Sequence, residues 1–302
     1  MNNQYPLFLV SDKNYLQHTT TALCSILTHF DSEKQLTVFL LSENLGENDL
    51  TPIGELASIH PFELHLIHPD LSQFQNLPDL KGSKMTYLRL LIPELFPDLD
   101  EAVYMDSDII AERDISPIWE LVPAEYTIAG VPENIKLKFI QKRKIDLGLA
   151  PEKDYFNAGI LWMNLKKMRD IHFADKVNAF IRDYPEKIVF HDQDILNAIL
   201  KDDWFPLSRS WNFMTDPQNY DDKDYQTSLT EPVRILHYAG YLMAPWLFYS
   251  KCRKRDRYYF YLNRTAFKGY KPPKDLRGII LYLLPNKLIP ILYRLLKKLN
   301  LR

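Results

Sequence analysis

Glycine is scarce, with nine in 302 residues and no two closer than eight positions. That spacing excludes both the GxGxxG turn of dinucleotide-binding folds and the GxxxxGK phosphate loop, so any phosphate must be held another way. Cysteine is scarcer. Cys24 and Cys252 stand far apart, without CxxC spacing or histidines at zinc intervals, which excludes a disulfide scaffold and a zinc finger and fits a reducing cytoplasm. Long apolar runs are missing too. The longest, Gly278 to Asn286, has nine residues, where a membrane-spanning helix needs about 20. Near the start, Pro6 to Val10 gives way at once to Ser11, Asp12 and Lys13, too short a stretch for a secretory signal, so no export signal is expected.

What is present is a globular composition, 46% apolar and 13% aromatic, able to bury a large core as one large domain or two small ones. The formal charge of −2 hides a segregation. Residues Lys251 to Arg302 carry 15 basic side chains and two acidic ones, a net of +13, against 22 basic and 37 acidic before them, a net of −15. An acidic body repels nucleic-acid phosphates, so no nucleic acid is expected as partner. In the tail, Leu281, Leu284, Leu288, Ile291, Leu292, Leu295, Leu296 and Leu299 recur at near-helical spacing, punctuated by Lys287, Arg294, Lys297 and Lys298. This pattern predicts an interfacial helix on an anionic membrane surface; a helix closing the core is the alternative. The expected organisation is a catalytic domain over 1–250 and a basic, amphipathic membrane-association region over 251–302.

Short β-rich apolar runs, Pro6 to Val10, Leu36 to Leu41, Phe62 to Ile67 and Ala102 to Met105, alternate with helical patterns over Thr19 to Phe30 and Lys84 to Phe96. The alternation predicts an α/β fold with a mostly parallel sheet, whose ligands bind beyond the carboxyl ends of the strands.

Chemistry concentrates in a few segments. Tyr104 to Ile110 places Asp106 and Asp108 two residues apart at the end of an apolar strand. In extended backbone such positions face the same way, so both carboxylates either converge on one hard divalent cation or cap backbone amides in a turn. Ile235 to Gly240 is a second apolar strand, ending in His237. That imidazole is either a structural histidine or the nitrogen of a mixed site suited to Mn2+ better than Mg2+, and Gly240 allows close backbone approach to a phosphate. Tyr155 to Leu161 and His191 to Asn197 each set a polar cluster before an apolar run. There a carboxylate beside a carboxamide either bonds sugar hydroxyls or, as Asp192 or Asp194, caps a helix.

In this order the segments resemble glycosyltransferase family 8, the retaining enzymes that include bacterial lipooligosaccharide galactosyltransferases and glycogenin. Ser11 to Tyr15 resembles the family's N-terminal nucleotide motif, Thr86 to Leu90 its TxxRL-like segment, Tyr104 to Ile110 its DxD strand and Phe156 to Gly159 its FNAG segment. His191 to Asn197 resembles the DQDILN segment, and His237 to Gly240 opens the motif that closes on Lys-Pro-Trp. The resemblance covers roughly residues 5 to 250.

It implies a GT-A fold, a Rossmann-like sheet flanked by helices, together with a UDP-galactose or UDP-glucose donor, a divalent metal (Mn2+, with Mg2+ possible), a saccharide or glycolipid acceptor and retention at the anomeric carbon. The implied nucleotide site is Ser11, Asp12, Asn14, Tyr15, Asp106, Ser107 and Gly240, with Tyr15 stacking on the base. Asp106, Asp108 and His237 would bind the metal, while Arg89, Glu133, Asn157, Ala158, Asp192 and Gln193 would hold the donor sugar. Gln193 under the anomeric carbon and Asp192 beside it carry the catalytic roles. Front-face attack is the expected route to retention, since Gln193 is a poor nucleophile beside Asp192 or Glu133; a covalent intermediate is the alternative. One departure stands out. The family's lysine is replaced by Ala244 in a segment one residue longer, with Lys251, Arg253 or Lys254 as candidate substitutes. The implied setting is lipopolysaccharide or cell-surface glycan synthesis by a cytoplasmic enzyme held on the inner face of the membrane. A UDP-sugar hydrolase or pyrophosphorylase, and a catalytically weak sugar-nucleotide-binding protein at the membrane, are the rival readings.

Overall fold

A computed structural model describes residues 4–31, 33–80, 82–134, 136–217, 219–220, 223, 229, 231–240, 244–274, 276–283 and 288. Its main sheet has seven strands in the order β3-β2-β1-β4-β7-β6-β8: β1 Gln4–Val10, β2 Gln35–Leu41, β3 Phe62–Ile67, β4 Glu101–Met105, β6 Ile128–Pro132, β7 Phe156–Asn164 and β8 Trp204–Pro206. All neighbours are parallel except at β7, which runs antiparallel to both β4 and β6. This is the α/β sheet that the alternation of strands and helices predicts.

Side chains alternate across it. Leu7 and Leu9 pack on one face and Phe8 on the other, as do Val103 and Met105 against Ala102 and Tyr104. A parallel sheet covered on both faces needs such uninterrupted apolar strands, and each fully buried Leu or Phe stabilises by roughly 2 kcal/mol. The first face is covered by α1 (Leu16–His29), the second in part by α3 (Phe173–Asp183) and α4 (His191–Ile199); α2 spans Lys138–Asp146.

α1 is buried without a break from His18 to Leu27, because α5 (Arg255–Leu262) lies on its outer side. Tyr258 Oη meets His18 Nδ1 at 2.7 Å and Tyr261 Oη meets His29 Nε2 at 2.8 Å. Inside this sandwich the hydroxyls of Thr20 and Thr21 bond carbonyls four residues back, which satisfies them within the helix. The core therefore crosses residue 250, where composition alone draws a boundary, and holds Tyr258, Tyr261 and Leu262. Beyond it, α6 (Leu276–Leu283) exposes Ile279, Ile280, Tyr282 and Leu283. Of the tail's later residues only Leu288 is described, so most of the expected amphipathic helix lies outside the described residues. Among those described, no helix is long and apolar enough to cross a membrane.

The segment expected as one helix over Lys84 to Phe96 is a 3-10 helix, Met85–Leu91, followed by a single α-turn that begins at Ile92 with Pro93 in its first turn. In a 3-10 helix residues i and i+3 eclipse, which sets Thr86 and Arg89 on one side. A small second sheet, β5 (Ile109–Ala111), β10 (Ile235–His237) and β9 (Phe213–Met214), is antiparallel between β5 and β10 and parallel between β10 and β9.

Candidate functional site

Beyond the end of β4 the chain turns through Asp106, Ser107 and Asp108 into β5. The register of β10 sets His237 opposite Ile109, and the Tyr238 N–H bonds the Asp108 carbonyl at 2.9 Å. His237 Nε2 thereby lies 3.1 Å from Asp108 Oδ1 and 3.7 Å from Asp106 Oδ2. One ligand atom from each of the three falls within 4.8 Å of the others.

Burial lowers the proton affinity of His237, but Asp108 and then Asp106 and Glu133 outweigh it, and its pKa is raised. Asp106 is pushed up by burial, which the Arg89 cation opposes and the charge of Asp108 reinforces. Two carboxylates facing one imidazole favour a cation between them, and hard oxygens with one borderline nitrogen are a donor set for a divalent metal. The backbone leaves room for nothing else. A Cβ added to Gly159 meets His237 Cε1 in steric overlap and lies 2.9 Å from both Asp106 Oδ2 and His237 Nδ1, so glycine is the residue that lets β7 pass beneath the cluster.

Arg89 braces this centre from below. It is 4% exposed; Nη2 donates to Asp106 Oδ1 at 2.9 Å, Nη1 to the Ala158 carbonyl and Nε to the Thr86 carbonyl at 3.2 Å. Its guanidinium also lies over the Tyr104 ring, 4.1 Å from the centroid, and Tyr104 Oη donates to Asp106 Oδ1 at 2.8 Å. Arg89 is thus committed to protein partners.

Asp192 adjoins it, with the Thr86 hydroxyl donating to Oδ1. Arg89 Nε stands 2.9 Å from Oδ2, yet that N–H is aligned on the Thr86 carbonyl, and Oδ2 is buried without a hydrogen bond. Burial raises the Asp192 pKa, against the pull of Arg89. Gln193 Oε1 accepts the Ala158 N–H at 3.0 Å, so the two backbone groups of Ala158 tie Arg89 and Gln193 together.

Asp194 faces inward. It accepts from Arg143 Nε and Nη2 at 3.2 and 3.0 Å, from Tyr155 Oη at 2.9 Å and from the N–H groups of Val189 and Phe190 at 2.8 and 2.6 Å. Lying inside α4, it is not the helix's N-cap, which is Phe190; it ties the two residues before the helix to its first turn. Glu133 lies past β6, 8% exposed and bonded by Tyr220 Oη at 2.9 Å. Burial pushes its pKa up to about 6.

On the other side, Asp12 Oδ1 caps the Tyr15 N–H at 2.7 Å, and Tyr15 meets Trp246 edge-on with ring centroids 5.8 Å apart. His18 stacks on the same Trp246 at 3.6 Å. Asn14 is exposed. Ser11 and Ser107 turn inward: Thr19 Oγ1 donates toward both hydroxyls, and Ser107 Oγ bonds the Val10 carbonyl at 2.6 Å. Gly240 has φ 119°, in the region that favours glycine; Tyr241 to Met243 lie outside the described residues. Ala244 is buried, Arg253 Nη1 holds the Tyr220 carbonyl at 3.1 Å, and Lys254 is exposed at φ 56°.

The sequence model of glycosyl transferase family 8 matches residues 6–249. The chain belongs to that family. Among its relatives, General stress protein A of Bacillus subtilis (strain 168) is 27% identical over 275 residues, covering 87% of this chain and 94% of the relative. Lipopolysaccharide 1,2-glucosyltransferase of Escherichia coli (strain K12) is 25% identical over 277 residues, covering 89% and 80%. The solved structure of galactosyltransferase LgtC with donor and acceptor sugar analogs has a TM-score of 0.75 at 24% identity, over 90% of this chain and 99% of that one. The likeness shows the GT-A fold, which the family 8 resemblance implies.

Within this family 8 glycosyltransferase, sequence reasoning placed Thr86 in a motif without a role and missed Asn212 and Tyr220; the three hold Asp192, His237 and Glu133. Thr86 carries a sequence signal, its place three residues before Arg89. The other two lie 25 and 87 residues from their partners and carry none.

Proposed function

We propose that this glycosyltransferase moves galactose or glucose from a UDP-sugar to a saccharide acceptor with retention, using Mn2+. The observation that supports the reading is the convergence of Asp106, Asp108 and His237 beside Asp192, whose Oδ2 is ion-paired with Arg89 but takes no aligned hydrogen bond. When bound at that triad, the metal supplies Lewis-acid stabilisation of the departing diphosphate without a proton.

The chain's own residues do the rest. Asp12, Asn14 and Tyr15 bind the uridine, with Tyr15 and Trp246 forming an aromatic corner for the base. Asp192 Oδ2 accepts a donor-sugar hydroxyl. Gln193, anchored on Ala158, sets its amide under the anomeric carbon. A carboxamide is a weak nucleophile, so Gln193 positions rather than attacks, and front-face transfer follows. The acceptor is a glycolipid or surface saccharide. The enzyme sits on the inner face of the membrane, its +13 tail and the exposed apolar side chains of α6 meeting anionic lipid.

The test measures UDP release from UDP-galactose and UDP-glucose with Mn2+, with and without a saccharide acceptor. Acceptor-dependent release supports transfer, and release without acceptor makes the protein a hydrolase. The buried Ala244, where the family resemblance implies a lysine, favours one further reading, a weak sugar-nucleotide binder; donor binding without turnover would establish it.

A further inference from the structure

The proton on His237 is fixed by a chain of groups that ends in the backbone. Gly159 N–H can only donate, and it reaches Asn157 at 2.8 Å, so the atom it meets is the amide oxygen. That oxygen also faces Asn212 at 2.9 Å, and because an amide oxygen only accepts, the Asn212 atom is Nδ2. The remaining Asn212 atom, 2.8 Å from His237 Nδ1, is then Oδ1. An oxygen there requires Nδ1 to carry the hydrogen, which leaves Nε2, facing Asp106 and Asp108, as the ligand nitrogen.

Asn212 is built for this task. It is 1% exposed, at the end of a 3-10 turn leading into β9. β9 lies beside β10, and Thr215 just after it bonds the His237 carbonyl through N–H and hydroxyl at 3.0 and 3.1 Å. Ring and backbone of His237 are thus gripped by one segment.

We propose that Asn212 is a positioning residue that sets the tautomer and ring angle of His237 for metal binding, its own amide being locked by Asn157 and the Gly159 N–H. The inference rests on the metal reading above and adds a residue to it. Such a partner contributes about 10- to 100-fold in metal affinity.

The experiment uses the full-length protein stripped of metal and titrated with Mn2+ alone, with folding checked by circular dichroism. Asn212→Leu, which has no acceptor, raises the Mn2+ Kd by about 10- to 100-fold. Asn212→Asp keeps an acceptor for Nδ1–H but loses the donor to Asn157, so it weakens Mn2+ binding less than Asn212→Leu does. An unchanged Kd in folded Asn212→Leu overturns the proposal, as does equal weakening in both variants, which marks a purely structural role.

Nitrogen-15 NMR of histidine-labelled wild type needs no variant and no metal. Without metal both ring nitrogens face oxygens, so the spectrum is read at a pH high enough for His237 to be neutral; the one remaining proton is expected on Nδ1, and a single proton on Nε2 also overturns the proposal. If wild type binds no Mn2+, the metal reading fails, and the NMR result decides the tautomer separately.

Discussion

Asp106-Ser107-Asp108 and Asp192-Gln193-Asp194 have the same spacing on different backbones. On the extended turn after β4 both carboxylates come to the same imidazole, 27% and 24% exposed. In α4, positions i and i+2 lie about 200° apart around the axis, and the two aspartates part company. Asp192 joins Arg89 and Thr86 at the site, while Asp194 enters the core and takes five protein donors. The secondary structure under the motif, more than the motif, decides whether two acids come together or one faces the site while the other supports the fold.

The largest expected effect falls on the first pair. Asp108→Asn removes the proposed charged oxygen ligand and lowers kcat/KM by about a thousandfold, or about 4 kcal/mol, while circular dichroism shows the metal-free protein still folded. Near-normal transfer by this variant in Mn2+ would break the metal assignment. For the second pair the comparison predicts opposite phenotypes. Asp194→Asn leaves the buried Arg143 only the partly exposed Asp146 as countercharge and costs roughly 3 kcal/mol of stability, seen as a lower denaturant midpoint. Asp192→Asn keeps most of that stability and lowers kcat/KM by roughly 10- to 100-fold, the worth of a charged hydrogen bond. Equal destabilisation by both substitutions would erase the distinction.

A smaller effect sharpens it through pH. Glu133 holds its proton in the fold up to about pH 6, against an ordinary 4.5. A raised folded pKa contributes stability below the unfolded value that is lost as pH rises through the folded one. Metal-free wild type should therefore lose on the order of 1 to 2 kcal/mol from this group between pH 4.5 and 6, and Glu133→Gln should lack that part of the slope. Parallel stability–pH curves for the two proteins would mean that burial of Glu133 costs nothing.

Much of this was legible beforehand. β1, β2 and β4 are read from apolar runs that are buried, because strands packed on both faces admit few polar residues; β3, at the sheet edge, instead alternates apolar residues with exposed Glu63 and His65. The grouping of Asp106, Asp108 and His237 is implied by the family resemblance, since spacing alone leaves a turn cap and a structural histidine open; the fold brings the three together. The helix over Lys84 to Phe96 resolves into a 3-10 turn because apolar residues three apart satisfy either geometry. The reversed direction of β7 leaves no mark, since an apolar strand reads alike both ways. The boundary at 250 follows the charge, whereas Tyr258, Tyr261 and Leu262 carry the core past it among Arg255, Arg257 and Arg264. Arg89 reads as a ligand-facing cation from its motif; only the fold reveals that Asp106, Ala158 and Thr86 already occupy it.

The pairing of α1 with α5 also sets an order of events during synthesis. His18 and Tyr258 are 240 residues apart; at about 5–20 residues per second the ribosome needs on the order of 10–50 s to cover that distance. Throughout that interval a nascent chain carries its first helix without the cover that completes its burial. Ribosome-stalled chains ending at residue 250 should be cut by protease within α1, and chains with residue 262 clear of the exit tunnel should resist.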